Sequence, residues 1–203
     1  ICPEGAEADV AVSLVRDIRH ARNFFNCGIF GLSRIGSAMS RNGKAAEAFN
    51  YFTKKGNYSF EYMWSKYDAT TMWECLPITD NTSQTSECSH CHPMQAGLDI
   101  WFYEDLAGIR PVAECPGFKK ILFAPCLDCG LESASASIES RYGTVSSSWK
   151  KSPEGFVWEV TIPAGTSATV RLPDGMALSG MENSSTGEYT LGSGTFTLTV
   201  LTK

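Results

Sequence analysis

The stretch Gln95-Ala-Gly-Leu-Asp-Ile-Trp-Phe-Tyr-Glu-Asp-Leu-Ala-Gly-Ile-Arg-Pro111 separates two patterns of hydrophobic residues in this chain. Its first part predicts a helix over residues 95–106, with an apolar face made of Leu98, Trp101, Phe102 and Leu106. Near Arg110-Pro111 the helical period stops and short runs of alternating residues begin. The sequence therefore predicts a helical domain over residues 1–109 and an antiparallel β-sandwich over residues 110–203.

Apolar residues recur at a spacing of three to four from residue 7 onward, which is typical of amphipathic helices. The runs are Val12, Val15 and Ile18, then Ile29, Leu32, Ile35 and Met39, then Ala46, Phe49 and Phe52. The turns Arg41-Asn-Gly43 and Lys54-Lys-Gly-Asn57 end two of these helices, because glycine and asparagine tolerate a positive φ. We expect helical hairpins, followed by a surface loop over the polar residues 76–87.

Short strands are predicted in the second half of the chain. They cover residues 118–123, 135–139, 143–149, 156–162, 168–172 and 195–201. Turn signals at Pro153, Pro163 and Pro173 recur with the rhythm of an antiparallel sandwich. Alternation places Trp158, Val160 and Ile162 on one face, so we expect Trp149 and Trp158 to pack in a core rather than form a carbohydrate-binding platform.

Composition and charge exclude two classes of partner. Forty-three per cent of the 203 residues are hydrophobic, and 17 basic against 22 acidic residues give a net charge of -5. No basic cluster exceeds a pair of lysines, so we expect no binding to nucleic acid. No apolar run reaches the length that a bilayer span requires, so we expect no membrane insertion. The chain begins at Ile1, which is typical of a processed or partial product.

Eight cysteines and three glycosylation sequons point to an exported protein. An even number of cysteines permits a disulfide framework, although the sequence does not select a pairing. The sequons begin at Asn57, Asn81 and Asn183. We therefore favour an extracellular or secreted location, with a cytoplasmic one left open.

The motif Asp68-Ala-Thr-Thr-Met-Trp-Glu74, followed by Cys88-Ser-His-Cys-His92, carries the residue types of a sugar site. A carboxylate and an imidazole pair with sugar hydroxyls, and an indole packs against the C–H face of a pyranose. The alternative is structural: Trp73 belongs to the core and Glu74 to a solvated helix end.

With Cys27-Gly-Ile-Phe-Gly31, Ser40-Arg-Asn-Gly43 and Leu106-Ala-Gly-Ile-Arg-Pro111, these motifs resemble the C-terminal part of bacterial-type α-L-rhamnosidases, glycoside hydrolase family 78. The similarity extends over nearly the whole chain. It implies a multi-domain protein of α and β structure, in which a partial (α/α)6 barrel of helical hairpins precedes an antiparallel β-sandwich.

The resemblance also implies hydrolysis of a rhamnose-containing glycoside with inversion and without a cofactor. Glu74 matches the general base, His92 matches the histidine that binds rhamnose hydroxyls, and Trp73 would pack beside the base in the sugar subsite. No residue of this chain matches the general acid. We therefore expect the chain alone to be catalytically incomplete, its partner being the missing N-terminal part of the barrel or a second polypeptide. The alternative is an exported, non-catalytic carbohydrate-binding or scaffold module of the same fold.

The cysteine spacing leaves other chemistry open. Cys88-Ser-His-Cys91-His92 fits the C-x-x-C-H pattern of covalent haem attachment. Cys88, Cys91, Cys126 and Cys129 also form two C-x-x-C pairs, which would build a zinc site between the two domains with His90 and His92 as further ligands. The remaining interpretation is disulfides or buried thiols, as in a structural protein without sugar affinity.

Overall fold

The computed structural model describes residues 2–21, 27–77, 88–182 and 187–202. The chain forms two compact units, residues 1–101 and residues 102–203. The first unit is helical and the second consists of β-sheets. The predicted fold class, helical hairpins followed by a sandwich of mainly antiparallel sheets, is confirmed.

Four α-helices of eight or more residues lie in the described part of the first unit. They are α1 (Glu7–His20), α2 (Ile29–Ser40), α3 (Ala45–Phe52) and α4 (Phe60–Tyr67). The predicted turns are confirmed, since α2 ends immediately before Arg41 and α3 two residues before Lys54. In the described part of the chain, no helix is both long enough and apolar enough to cross a membrane. Of the predicted surface loop, only Leu76 and Pro77 are described, and both are buried; residues 78–87 lie outside the described residues.

The helical phase differs from the prediction in two places. In α1 the buried residues are Ala11, Val15 and Ile18, whereas Val12 is 55% exposed. In α3 the buried face contains Ala48 and Phe52, while Ala46 is exposed. Alanine is apolar but small, so it adds little to a hydrophobic pattern and fixes the phase of a short helix poorly.

The predicted single helix over residues 95–106 is wrong in its regularity. The chain forms a 3₁₀-helix at Pro93–Leu98, one α-helical turn at Asp99–Trp101 and, in the second unit, a π-helix at Phe102–Leu106. The change of pitch moves Phe102 out of the expected apolar face, and its side chain is 43% exposed. In the first unit, Trp101 is buried and its Nε1 donates to Ser40 Oγ at 2.8 Å.

Among the described residues of the second unit, nine strands form two sheets. They are β1 (Ile109–Pro111), β2 (Lys120–Phe123), β3 (Ser133–Ser140), β4 (Gly143–Ser152), β5 (Gly155–Ile162), β6 (Ser167–Arg171), β7 (Met176–Leu178), β8 (Glu188–Leu191) and β9 (Gly194–Thr202). One sheet has the order β1-β2-β6-β8 and the other β3-β4-β5-β9-β7. The strand pairs are antiparallel except β2 with β6, which run parallel.

The core of this unit lies between the two sheets. Trp158, Val160 and Ile162 are all buried, so the predicted alternation of β5 is confirmed. Trp149 is also buried, which contradicts the platform interpretation of the two tryptophans. The core tryptophans satisfy their N–H groups internally, because Trp158 Nε1 donates to Ser147 Oγ at 2.9 Å and Trp149 Nε1 to the Leu106 carbonyl at 2.8 Å.

The start of the second unit is fixed by an ion pair and a close backbone approach. Asp105, fully buried, accepts from Arg110 Nη2 at 2.8 Å. Gly108 has a φ of 80°, and a Cβ at this position would lie 2.3 Å from the backbone nitrogen of Pro125. Only glycine fits here, since both the conformation and the space exclude a side chain. This requirement explains why glycine occupies position 108 in the motif Leu106-Ala-Gly-Ile-Arg-Pro111.

Candidate active site

The candidate site lies where the chain leaves α4. Ser59 caps the start of this helix, because its side chain accepts the Tyr62 N–H at 3.0 Å. The helix ends at Asp68, which has the left-handed φ of 52° that aspartate tolerates better than most residues. This end turns residues 69–75 out of the helix and brings them beside residues 88–92.

Backbone hydrogen bonds join residues 71–75 to residues 88–92; we refer to these as the paired segments. The Glu74 N–H donates to the Ser89 carbonyl at 2.9 Å, and the His92 N–H donates to the Met72 carbonyl at 2.8 Å. The Thr71 hydroxyl donates to the His90 carbonyl. A disulfide between Cys75 and Cys88 closes one end of the pair. The site is thus built on two short stretches that are distant in sequence.

The carboxylate of Glu74 has two neighbours in the described part of the chain. Its Oε2 accepts the Ser89 N–H at 3.0 Å and lies 4.0 Å from His92 Nδ1. The side chain is 45% exposed, so water reaches it. A carboxylate that is open to water and oriented by a backbone N–H is chemically able to accept a proton. The structure therefore brings together Glu74 and His92, the two polar residues singled out in the sequence.

His92 carries a polar atom that the described protein does not satisfy. Its Nε2 is buried and has no hydrogen-bond partner among the described residues. Buried polar atoms in folded proteins nearly always have a partner, because burying one unpaired costs free energy. A neutral imidazole offers one donor and one acceptor. Nε2 is therefore available to bind a hydroxyl group from outside the described residues.

Trp73 is buried in the first unit rather than open to solvent. Its ring stacks on His90 at a centroid distance of 3.9 Å with 4° between the planes. Tyr67 contacts it at 5.7 Å. The indole therefore contacts protein aromatics next to Glu74 in the chain, and a direct contact with a sugar stays a prediction.

Two features beside Glu74 were not predicted from the sequence. Ser89 contributes its backbone N–H, which every residue except proline has, so no residue type signals this role. The cysteine count permitted a disulfide, but nothing in the spacing selected Cys75 and Cys88 as partners. His90, considered as a metal ligand, instead stacks on Trp73.

The disulfide also bears on the metal and haem alternatives. While the Cys75–Cys88 bond is intact, Cys88 has no thiolate for zinc and no thiol for haem attachment. Within residues 2–21, 27–77, 88–182 and 187–202, no three metal-binding side chains form a group that could hold a metal ion. Cys126 and Cys129 are buried free thiols, and burial raises the pKa of Cys126 to about 12. Thiols of this kind are inert structural groups.

Residues 1–106 match the family model of the bacterial alpha-L-rhamnosidase 6 hairpin glycosidase domain, and residues 108–187 match that of the bacterial alpha-L-rhamnosidase C-terminal domain. The chain belongs to the bacterial α-L-rhamnosidase family. The two domains follow each other in the order that the motifs predicted, so the predicted family is confirmed.

Curated relatives of the α-L-rhamnosidase family agree with this assignment. An alpha-L-rhamnosidase of Formosa agariphila is 28% identical over 163 residues, which cover 79% of this chain and 17% of the relative. One of Alteromonas sp. (strain LOR) is 26% identical over 167 residues, covering 80% of this chain and 18% of the relative. The chain thus spans less than a fifth of the length of these relatives.

Solved α-L-rhamnosidase structures share the fold. The enzyme described as from Dictyoglumus thermophilum is 26% identical with a TM-score of 0.77, covering 94% of this chain and 23% of that one. The enzyme of Streptomyces avermitilis, solved in complex with L-rhamnose, is 24% identical with a TM-score of 0.79, covering 95% and 20%. Both sheets and the helical hairpins therefore have counterparts in known α-L-rhamnosidases.

Proposed function

We propose that the complete enzyme carrying these residues hydrolyses α-L-rhamnosides with inversion, and that Glu74 is its general base. The observation that supports this most directly is the Glu74 carboxylate itself. It is held by the Ser89 N–H at 3.0 Å, lies 4.0 Å from His92 Nδ1 and belongs to the six-hairpin part of an α-L-rhamnosidase-family chain.

The proposed reaction needs two carboxyl groups. Glu74 removes a proton from water, and the water oxygen forms a bond to the anomeric carbon of the rhamnoside. The bond from that carbon to the leaving oxygen breaks on the opposite face, and a second carboxylic acid protonates the leaving oxygen. In inverting enzymes the two groups stand roughly 6.5–9.5 Å apart, which leaves room for the water. We assign the acid to a part of the enzyme outside residues 1–203.

His92 and Trp73 complete the proposed sugar subsite. His92 Nε2, buried and unpartnered among the described residues, would bind a ring hydroxyl of rhamnose. Trp73 would line the subsite beside the base, where its stacking on His90 keeps the ring in place. This division of roles lets one residue bind sugar while another supports the reacting group.

The proposed partner of the first unit is the rest of the helical barrel, on the same polypeptide or on a second one. Support comes from apolar side chains exposed on α1 and α2, namely Val10 at 45%, Val12 at 55% and Phe30 at 77%. Further helices of the barrel would remove these apolar side chains from water. We also propose that the enzyme is exported, which agrees with the Cys75–Cys88 disulfide and the exposed sequon residue Asn57.

Replacement of the base tests the function. In the complete enzyme, Glu74→Gln should lower kcat on an aryl α-L-rhamnoside about 10²- to 10⁴-fold, because an amide cannot accept the proton of water. The KM should change little. Glu154→Gln, in the exposed turn between β4 and β5, is the matched control and should keep full activity. Turnover by Glu74→Gln at the control rate would refute the assignment.

Azide rescue and product stereochemistry sharpen this test. Azide attacks without losing a proton, so it should restore turnover of Glu74→Ala and give a rhamnosyl azide of inverted configuration. NMR of the sugar released by the unaltered enzyme should first show the β-anomer. Binding of L-rhamnose by calorimetry without any turnover would instead favour the non-catalytic carbohydrate-binding module.

A further inference from the structure

The Cys75–Cys88 disulfide directly adjoins the contact that holds the candidate base. Cys75 follows Glu74 in the chain, and Cys88 precedes Ser89. The covalent bond therefore lies one residue away from each partner of the Glu74–Ser89 contact. No other described disulfide is present in the chain. Because the disulfide adjoins the site, it can influence how Glu74 is held.

The contact next to the disulfide is reciprocal. The Glu74 N–H donates to the Ser89 carbonyl at 2.9 Å, and the Ser89 N–H donates to Glu74 Oε2 at 3.0 Å. Both residues are exposed, so water competes for each of these hydrogen bonds. Two exposed hydrogen bonds between residues distant in sequence do not hold a side chain firmly by themselves. A covalent link beside them raises the effective concentration of one partner at the other.

The far end of the paired segments is held differently. There the His92 N–H donates to the Met72 carbonyl at 2.8 Å, and Trp73 stacks on His90 at 3.9 Å. These contacts involve a buried indole and do not include the disulfide. Opening the disulfide should therefore release Glu74 while leaving His92 in position. One end of the paired segments would thus position the proposed base, and the other end would bind the sugar.

From this arrangement we propose that Cys75 and Cys88 are positioning residues, whose disulfide holds the Glu74 carboxylate against the Ser89 N–H and makes turnover depend on the oxidised state of the pair. This inference rests on the proposed function of Glu74. The bond takes no part in the chemistry of hydrolysis. It acts through Ser89, by fixing the N–H that orients the carboxylate.

The test is a double variant, Cys75→Ser with Cys88→Ser, in the complete enzyme. We expect kcat to fall about 10- to 100-fold, since small displacements of a reacting group have effects of this size. The KM should stay within about threefold, because the His92 end remains intact. A purely structural disulfide would not divide the effect in this way between kcat and KM.

The matched control also removes two cysteines, Cys2→Ser with Cys115→Ser, outside the paired segments. It should keep the kcat and the KM of the unaltered enzyme. If the Cys75/Cys88 double variant behaves like this control, the inference is overturned. A loss of kcat with an unchanged KM supports it.

Reduction of the folded enzyme covers the case in which the double variant does not fold. The unaltered enzyme is reduced under native conditions without alkylation, and separate aliquots are alkylated so that peptide mass spectrometry shows when Cys75 and Cys88 are reduced. A kcat that falls with reduction and returns on reoxidation supports the inference. An unchanged kcat with the bond open overturns it.

Glu74→Gln in the same assay separates the two claims. If it abolishes turnover while the disulfide variant is fully active, only the positioning role fails. If Glu74→Gln is itself active, the proposed function fails and the positioning role fails with it.

Discussion

At the residue scale, the Glu74–His92 pair has the strongest chemical consequence. The two side chains are 18 positions apart in sequence, yet Oε2 and Nδ1 lie 4.0 Å apart. Sequence motifs identified both residues because carboxylate and imidazole are chemically specific. Ser89 could not be identified from the sequence, because it contributes a backbone N–H that does not depend on the residue type. Prediction from sequence therefore finds chemically distinctive side chains more easily than the backbone groups that orient them.

Removal of the His92 imidazole should weaken substrate binding. In His92→Ala of the complete enzyme, we expect the KM for an aryl α-L-rhamnoside to rise about 10- to 100-fold, because a buried hydroxyl partner is lost. The effect on kcat should be smaller. Michaelis kinetics measure both values. His20→Ala, at the exposed end of α1, is the matched histidine control, and an equal KM in the two variants would contradict the role of His92.

At the element scale, the strands were predicted better than the helices. Alternation in β5 correctly placed Trp158, Val160 and Ile162 in the core, because residues two positions apart in a strand share one face. The helix over residues 95–106 failed because sequence periodicity assumes 3.6 residues per turn, whereas the chain changes pitch twice in this region. Strands β1, β7 and β8 were missed because they are only three or four residues long.

Trp158 and its neighbour Val157 allow a matched test of the β5 face. Trp158→Ala should lower the free energy of unfolding by about 3–5 kcal/mol, because it empties a fully buried site and removes a donor from Ser147. Val157→Ala, on the opposite face and 40% exposed, should cost less than about 1 kcal/mol. Denaturant unfolding, followed by circular dichroism, measures both. Equal costs would contradict the assignment of faces.

At the scale of the whole molecule, the order of the parts was the most predictable property. The change from helical to alternating periodicity distinguished the helical part from the β part, and the sequence motifs identified the family. The position of the boundary is harder to predict, because the residues that join the second unit to its own core do not alternate. The sequence places the boundary between residues 109 and 110, which stays a prediction. The two compact units of the structure meet between residues 101 and 102.

Two polypeptides test the boundary, one covering residues 102–203 and the other residues 110–203. The shorter one lacks Asp105 and the carbonyls of Leu106 and Ala107, which pair with Arg110, Trp149 Nε1 and Ser147 Oγ respectively. Each buried group left without its partner costs about 1–3 kcal/mol. We expect residues 102–203 to unfold cooperatively at a clearly higher temperature in calorimetry. Equal melting temperatures would favour the boundary at residue 110.

The parallel pairing of β2 with β6 dictates an order of assembly. All of β3, β4 and β5 lie between these two strands in the chain, and they belong to the other sheet. During synthesis, the edge of β2 that pairs with β6 stays free until β3, β4 and β5 have been synthesised. Pairing of β2 with β6 therefore follows synthesis of β3, β4 and β5, and this long-range step should make the nascent second unit a slow folder that depends on protection from aggregation.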